Sequence, residues 1–291
     1  MCKLKSGIIL KDRVFIPDYE SHTDMLEELN IDDTKKNAGE RFVRVELRPE
    51  GNDIFTPIDT WKFWVDQEVL PDWFVPEFDR ERMVEAVGEW ADSHIYTDKS
   101  NFSVSGGTFY LKNCKNVACD NSEVWAFDNS TVRAYGNSEV RAYGNNEVRA
   151  WGDSKVNAWS ESKVMAFNNS KVVAYDNSEV TAYGNSEVRA YGNNKVRAYG
   201  NSKVRAYGNN KVTACGDSRV MAYDNSEVKA YENSEVVACD NSLVIIPFGS
   251  TNKDDNITLM GDSTLKNCNT DTIYQSGNRG LIRDSKEEDI T

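Results

Sequence analysis

The sequence predicts a mainly β protein: a parallel β-solenoid of octapeptide repeats joined to a small N-terminal α+β domain. Three observations carry this. From Val124 to Val244 a valine stands at every eighth residue, sixteen in succession, a period that marks a stacked repeat architecture. Alanine follows two residues after each valine, unbroken from Ala126 to Ala238, and Ala118 extends the series. Each octad then closes on Gly, Asp, Asn, Ser or Glu, followed mostly by Asn.

Each octad reads as one short strand and one tight corner. In Asn137 to Gly144 (Asn-Ser-Glu-Val-Arg-Ala-Tyr-Gly) the alternation Glu-Val-Arg-Ala-Tyr is that of a strand with one buried face. Valine and alanine point in, and Glu or Lys, Arg and Tyr point out. Gly-Asn and Asp-Asn tolerate left-handed backbone, so they supply the corner, and the small Ser or Asn at position two turns inward to satisfy backbone groups. A helix is excluded because a breaker recurs in every octad. The position after alanine is aromatic except at Cys119, Cys215 and Cys239, which read as reduced, bulky substitutes.

Two octads per coil, about 16 residues, are expected to form a flattened, two-sided coil. Asn replaces Ser at Asn146, Asn194 and Asn210, all in one phase of a sixteen-residue period, and Gly192 to Val212 repeats itself at that offset. Val and Ala are too small to fill a three-sided interior but suit two facing sheets. The regular octads span 121–246. Ile257, Leu265, Ile273 and Leu281 stand eight apart in a register shifted by five, so an insertion at about 245–256 precedes capping octads over 257–282. Thr108 and Asn116 fall at the valine position of irregular N-terminal octads. Residues 99–282 thus form the solenoid, and 283–291 an acidic tail. About twenty octads, with coils ~4.8 Å apart, give a rod on the order of 50 Å.

Residues 1–98 lack the repeat and read as an α+β capping domain. Strands are expected at Gly7 to Pro17, Arg41 to Arg48 and Thr60 to Val69. Ser21 to Asp24 caps a helix over Met25 to Leu29, and Asp79 to Ser93 forms a second helix with Met83, Val84, Val87 and Trp90 on one face. Trp61, Trp64, Trp73 and Phe74 read either as a small core packing on the first coil or as an aromatic binding groove formed by Trp61, Trp64 and Trp73.

The net charge of −13 is uneven. Residues 1–112 carry 14 basic and 23 acidic side chains, 113–246 carry 15 and 16, and 247–291 carry 5 and 8. No apolar stretch has the length of a signal peptide or membrane span. The six cysteines lack disulfide or zinc spacing. A cytoplasmic protein without cofactor, metal or membrane contact is expected.

The octads resemble β-solenoid proteins with short, strict repeats. Ice-nucleation proteins share the sixteen-residue coil, and trimeric autotransporter adhesin heads share the Gly-Asn-Ser flavour. Ice binding would need flat threonine ladders where this sequence has Tyr, Arg, Lys and Glu, and adhesin heads are exported. Met1 to Tyr96 followed by such octads also resembles uncharacterised proteins of anaerobic gut bacteria and their phages, a resemblance that implies no activity.

Catalytic signals are weak. His22 and His94 sit at helix ends, where capping and solvation explain them, and no phosphate loop, HExxH or GxSxG occurs. Asp128, Asp176, Asp224 and Asp240 share a corner position, but glycine interrupts any calcium ladder. The outward rows are more informative. Tyrosines are expected to stack, as Phe167, Tyr183 and Tyr199 on one face and Tyr175, Tyr191 and Tyr207 on the other. Between Asn185 and Arg219 seven basic residues meet two acidic ones. Arg189, Tyr191, Lys195, Arg197, Tyr199, Lys203, Arg205, Tyr207 and Lys211 are therefore the expected binding residues. The expectation is a non-enzymatic interaction or scaffold protein whose partner is a protein or a second copy, with nucleic acid a less favoured ligand. Alternatives are an inhibitor of a host enzyme by surface or DNA mimicry, an ice-binding protein, and an enzyme in the N-terminal domain.

Overall fold

The computed structural model describes residues 4–276 and divides into two compact units between Thr97 and Asp98. Among the described residues no helix is long and apolar enough to cross a membrane.

The first unit is α+β. Strands β1 (Lys5–Leu10), β2 (Val14–Phe15), β3 (Phe42–Arg48) and β4 (Lys62–Val65) form an antiparallel sheet in the order β2-β1-β3-β4. The expected strand over 7–17 is a hairpin, because the chain turns where the Leu10 amide donates to the Arg13 carbonyl. Ser21 caps α1 (His22–Glu28), its hydroxyl accepting from the Asp24 amide. Helix α2 (Lys35–Glu40), capped by Thr34, was not expected from the sequence. Helix α3 (Pro76–His94) buries Asp79, Met83, Val87 and Ala91, and a short strand β5 (Ile95–Thr97) follows it. Ile8, Met25, Leu26 and Phe42 form one core cluster, and Val43, Val45 and Leu47 are likewise fully buried.

The second unit is the solenoid. It opens with β6 (Ser103–Ser105), β7 (Thr108–Lys112), β8 (Val117–Asp120) and β9 (Glu123–Asp128). Strands β10 (Thr131–Tyr135) to β24 (Leu243–Ile246) follow at one per octad, and β25 (Ile257–Leu259), β26 (Thr264–Asn267) and β27 (Thr272–Gln275) end it. Alternate strands pair in parallel. One sheet holds the even-numbered strands and then β27, and the other holds the odd-numbered strands. From β9 to β24 partners lie sixteen residues apart, as in Val132↔Val148 and Val188↔Val204, so two octads make one coil.

Every valine of the series is at most 2% exposed and every alanine from Ala126 to Ala238 is fully buried. This is the small, apolar filling that lets two sheets close on each other. The inward Ser and Asn side chains meet backbone. Ser154 and Ser186 donate to the carbonyls of Trp151 and Tyr183 at 2.7 and 2.8 Å. Serines also reach the preceding coil, Ser162 donating to the Gly144 carbonyl at 2.8 Å, and the three asparagines add an amide that donates and an oxygen that accepts. Asn210 Nδ2 donates to the Tyr207 carbonyl at 2.7 Å and to the Ala190 carbonyl at 3.3 Å, while its Oδ1 accepts from the Asn194 amide at 3.0 Å. Each therefore ties one coil to the coil before it.

The irregular ends depart from the expected register. In the first coils partners are fifteen apart, Phe109↔Val124 and Val117↔Val132. Phe109 and Val117 keep the eight-residue step, but Val117 stands only seven residues before Val124, so one residue fewer separates these inward positions than elsewhere in the series. A slip of one residue exchanges faces. Val117 and Cys119 point in, and Ala118 faces out opposite Arg133. Ala118 thus does not continue the alanine series, and Cys119 replaces an alanine, not an aromatic residue. At the other end the shift of five is real: Val236↔Ile257 and Val244↔Leu265 are twenty-one apart. Asn252 in the insertion turns inward, donating to the Ser234 carbonyl and hydroxyl at 2.8 Å. Ile273 does not begin another coil. Strand β27 runs antiparallel to β26, with Ile273 opposite Lys266 and 43% exposed. Leu281 and the acidic tail lie outside the described residues.

Candidate functional site

The coil sorts outward residues onto two faces. Arg189, Tyr191, Lys203, Arg205 and Tyr207 belong to the odd sheet, and Lys195, Arg197 and Lys211, with Tyr199 beyond its strand, to the even one. The nine expected residues are therefore not one surface. On the odd face Arg189 stands beside Arg205 and Tyr191 beside Tyr207 in direct register. Lys155 and Lys171 join the same face, stacked on each other. Reading the segment 185–219 as a line missed them; stepping by sixteen residues from Lys203 reaches both.

The rings stack as expected. Phe127, Tyr143, Trp159, Tyr175, Tyr191, Tyr207 and Tyr223 form one continuous row, with successive centroids 4.5 to 5.5 Å apart. Tyr135, Trp151, Phe167, Tyr183 and Tyr199 form a second, with spacings of 4.9 to 5.3 Å, which Cys215 ends. Rings at this spacing and nearly parallel stabilise adjacent strands. Stacking also excludes water: burial pushes the Tyr143 hydroxyl pKa up.

Charge is segregated by position. All fourteen Lys and Arg of residues 121–246 lie within strands on the two faces, against seven Glu, whereas the eight remaining carboxylates sit at corners or strand ends. The corner carboxylates have structural work, since Asp224 accepts the Gly208 amide at 2.8 Å and Asp176 the Ser160 amide at 3.1 Å. On the faces, the row before each valine mixes Glu with Lys or Arg. The row between valine and alanine holds Arg133, Arg141, Arg149, Arg189, Arg197, Arg205 and Lys229, and no carboxylate. Arg141 pairs with Glu123 and Glu139, and Arg149 with Glu147. Among the described residues Arg189, Arg197 and Arg205 make no ion pair. Two shallow grooves of about 310 Å³ flank Arg189, one floored by Val173 and the other by Met221.

The alternative aromatic groove does not form from all three tryptophans. Trp61 is a core residue, 1% exposed, with Nε1 donating to the Thr56 carbonyl at 3.1 Å. Trp64 is exposed on β4 with the Arg48 guanidinium 5.3 Å from its ring. Trp73 donates to the Glu40 carbonyl at 2.9 Å. Burial pushes the Cys119 thiol up to about 12 and raises Cys114, Cys215 and Cys239, which disfavours their thiolate forms.

No family model, curated protein or solved structure matches this chain.

Proposed function

We propose that this chain is a non-catalytic interaction protein, a stiff solenoid that presents periodic rows of Arg and stacked Tyr to an acidic protein surface. One observation carries the reading: Arg189 and Arg205 lie side by side on adjacent strands, exposed and, among the described residues, without an ion pair. Like charges directly opposite on neighbouring strands destabilise a sheet by roughly 0.2–1 kcal/mol. An anionic partner relieves that repulsion and adds charge-assisted hydrogen bonds. The ring row beside it supplies flat, rigid contact area of the kind that interfaces concentrate. The free thiols of Cys114, Cys119, Cys215, Cys239 and Cys268 support a reducing, cytoplasmic setting.

The test is capture of partners by the immobilised full chain, compared with the variant carrying Arg189→Glu, Arg197→Glu and Arg205→Glu. The partners retained at low salt should be lost from the variant and should elute as salt rises, because screening beyond ~8 Å sets in at physiological ionic strength. Retention by the triple variant, with loss on replacing Trp64 and Trp73 instead, would move the binding surface to the first unit.

A further inference from the structure

Outside the solenoid, one cluster of side chains has no account in the interaction reading: His22, Glu46 and Asp66. Three elements assemble it. His22 is the first residue of α1, set in place by the Ser21 cap. Glu46 lies on β3 opposite Trp64 of β4, and Asp66 follows two residues after Trp64, so alternation puts both carboxylates on the same face of the sheet. The Asp66 amide donates to the Arg44 carbonyl at 2.9 Å, which anchors the segment. One ligand atom from each of the three residues lies within 4.8 Å of the others.

The imidazole decides the chemistry. Its Nε2 lies 3.2 Å from the Val45 carbonyl, an acceptor only, so that nitrogen carries the hydrogen. In the neutral ring the lone pair is then on Nδ1, and Nδ1 faces the Asp66 Oδ2 at 3.3 Å. A lone pair against a carboxylate oxygen is repulsive unless a cation sits between them. A proton on Nδ1 would serve Asp66 alone. The Glu46 carboxylate, of which Arg48 engages Oε2, adds a second anionic oxygen donor to the same space. An imidazole nitrogen and two carboxylates are a donor set for a divalent transition ion, whereas Ca²⁺ and Mg²⁺ prefer oxygen throughout. A backbone carbonyl holding the far ring nitrogen is the usual device that orients a ligating histidine.

We propose that His22 Nδ1, Glu46 and Asp66 form a mononuclear site for a zinc-type divalent ion. The ion binds α1 to the β3–β4 edge, and three protein ligands leave a position open to water.

The experiment uses the full chain with its thiols alkylated, stripped of metal and titrated with Zn²⁺ against a chromophoric chelator. One equivalent should bind, with no equivalent of Ca²⁺. Asp66→Asn, which keeps the shape of the side chain, should weaken Zn²⁺ binding at least tenfold, as should Glu46→Gln and His22→Gln. Zn²⁺ should raise the Tm of the parent chain and leave that of the Asp66→Asn variant unchanged. His94→Ala should bind as the parent does. Failure to bind one equivalent, or equal affinity in the parent and the Asp66→Asn variant, overturns the site and leaves a proton-mediated His22–Asp66 pair.

Discussion

Glycine is required at only some corners, and the reason is local. Gly144, Gly192 and Gly208 have φ of 98° to 105°, and each precedes an Asn-Asn pair whose second member turns inward. That backbone is open to glycine almost alone. Elsewhere the corner φ falls near 55° to 70° and the position accepts Asp176, Asn168 or Glu232. A Cβ on Gly208 would lie 2.8 Å from the Gly192 carbonyl oxygen, whereas on Gly184 it meets Asn168 at 3.3 Å. Gly208→Ala should therefore cost about 1–3 kcal/mol, and Gly184→Asn should be nearly silent, as denaturant unfolding would measure. A second pair separates inside from outside: Ala198→Leu should destabilise by about 1–3 kcal/mol through overpacking, and Arg197→Ala by less than about 0.5. The inward identity of these residues was legible because alternation and period coincide. Ala118 and Cys119 were misread because Val117 stands seven residues before Val124, not eight, and one residue missing between them exchanges faces in a way that an unbroken period does not register.

At the scale of elements, the octad translated directly into strand and corner, since each carries its own breaker. The ends were less legible. Ile273 keeps the eight-residue spacing yet lies on a strand that reverses, because spacing does not encode direction. Helix α2 has Gly39 in a six-residue span, too short and too polar to show a helical stripe. The antiparallel β27 covers the last even-sheet strand, and solenoid edges left open recruit other chains. Truncation after Asn267 should give end-to-end association in sedimentation velocity, while truncation after Ser276 should remain monodisperse. A monodisperse monomer from the shorter chain would show that β27 is not the cap. Deleting Asn185 to Gly216, two whole coils, should leave a shorter soluble rod, since each coil contacts its neighbours only.

For the whole molecule, the acidic ends mask a near-neutral middle, and within residues 113–246 the balance of 15 basic and 16 acidic side chains conceals an arrangement: a carboxylate-free basic row on each face, and about half of the carboxylates at the corners. The excess of basic residues between Asn185 and Arg219 was visible in the sequence, and its division between two faces follows from the two-octad coil read there, since successive octads fall on different sheets; the nine binding residues were nevertheless grouped as one set. The His22, Glu46 and Asp66 cluster left no trace in spacing, its members being brought together only by the β3–β4 pairing and the start of α1. The central claim is that the odd-face Arg row binds an acidic partner. Its most direct test is the affinity of one captured partner for two double variants at low and physiological salt, Arg189→Glu with Arg205→Glu, and Arg197→Glu with Lys211→Glu. The odd-face pair should weaken binding at least a hundredfold and flatten its salt dependence, with the even-face pair within about threefold of the parent. Equal losses from both pairs, or none from the odd-face pair, would contradict the account.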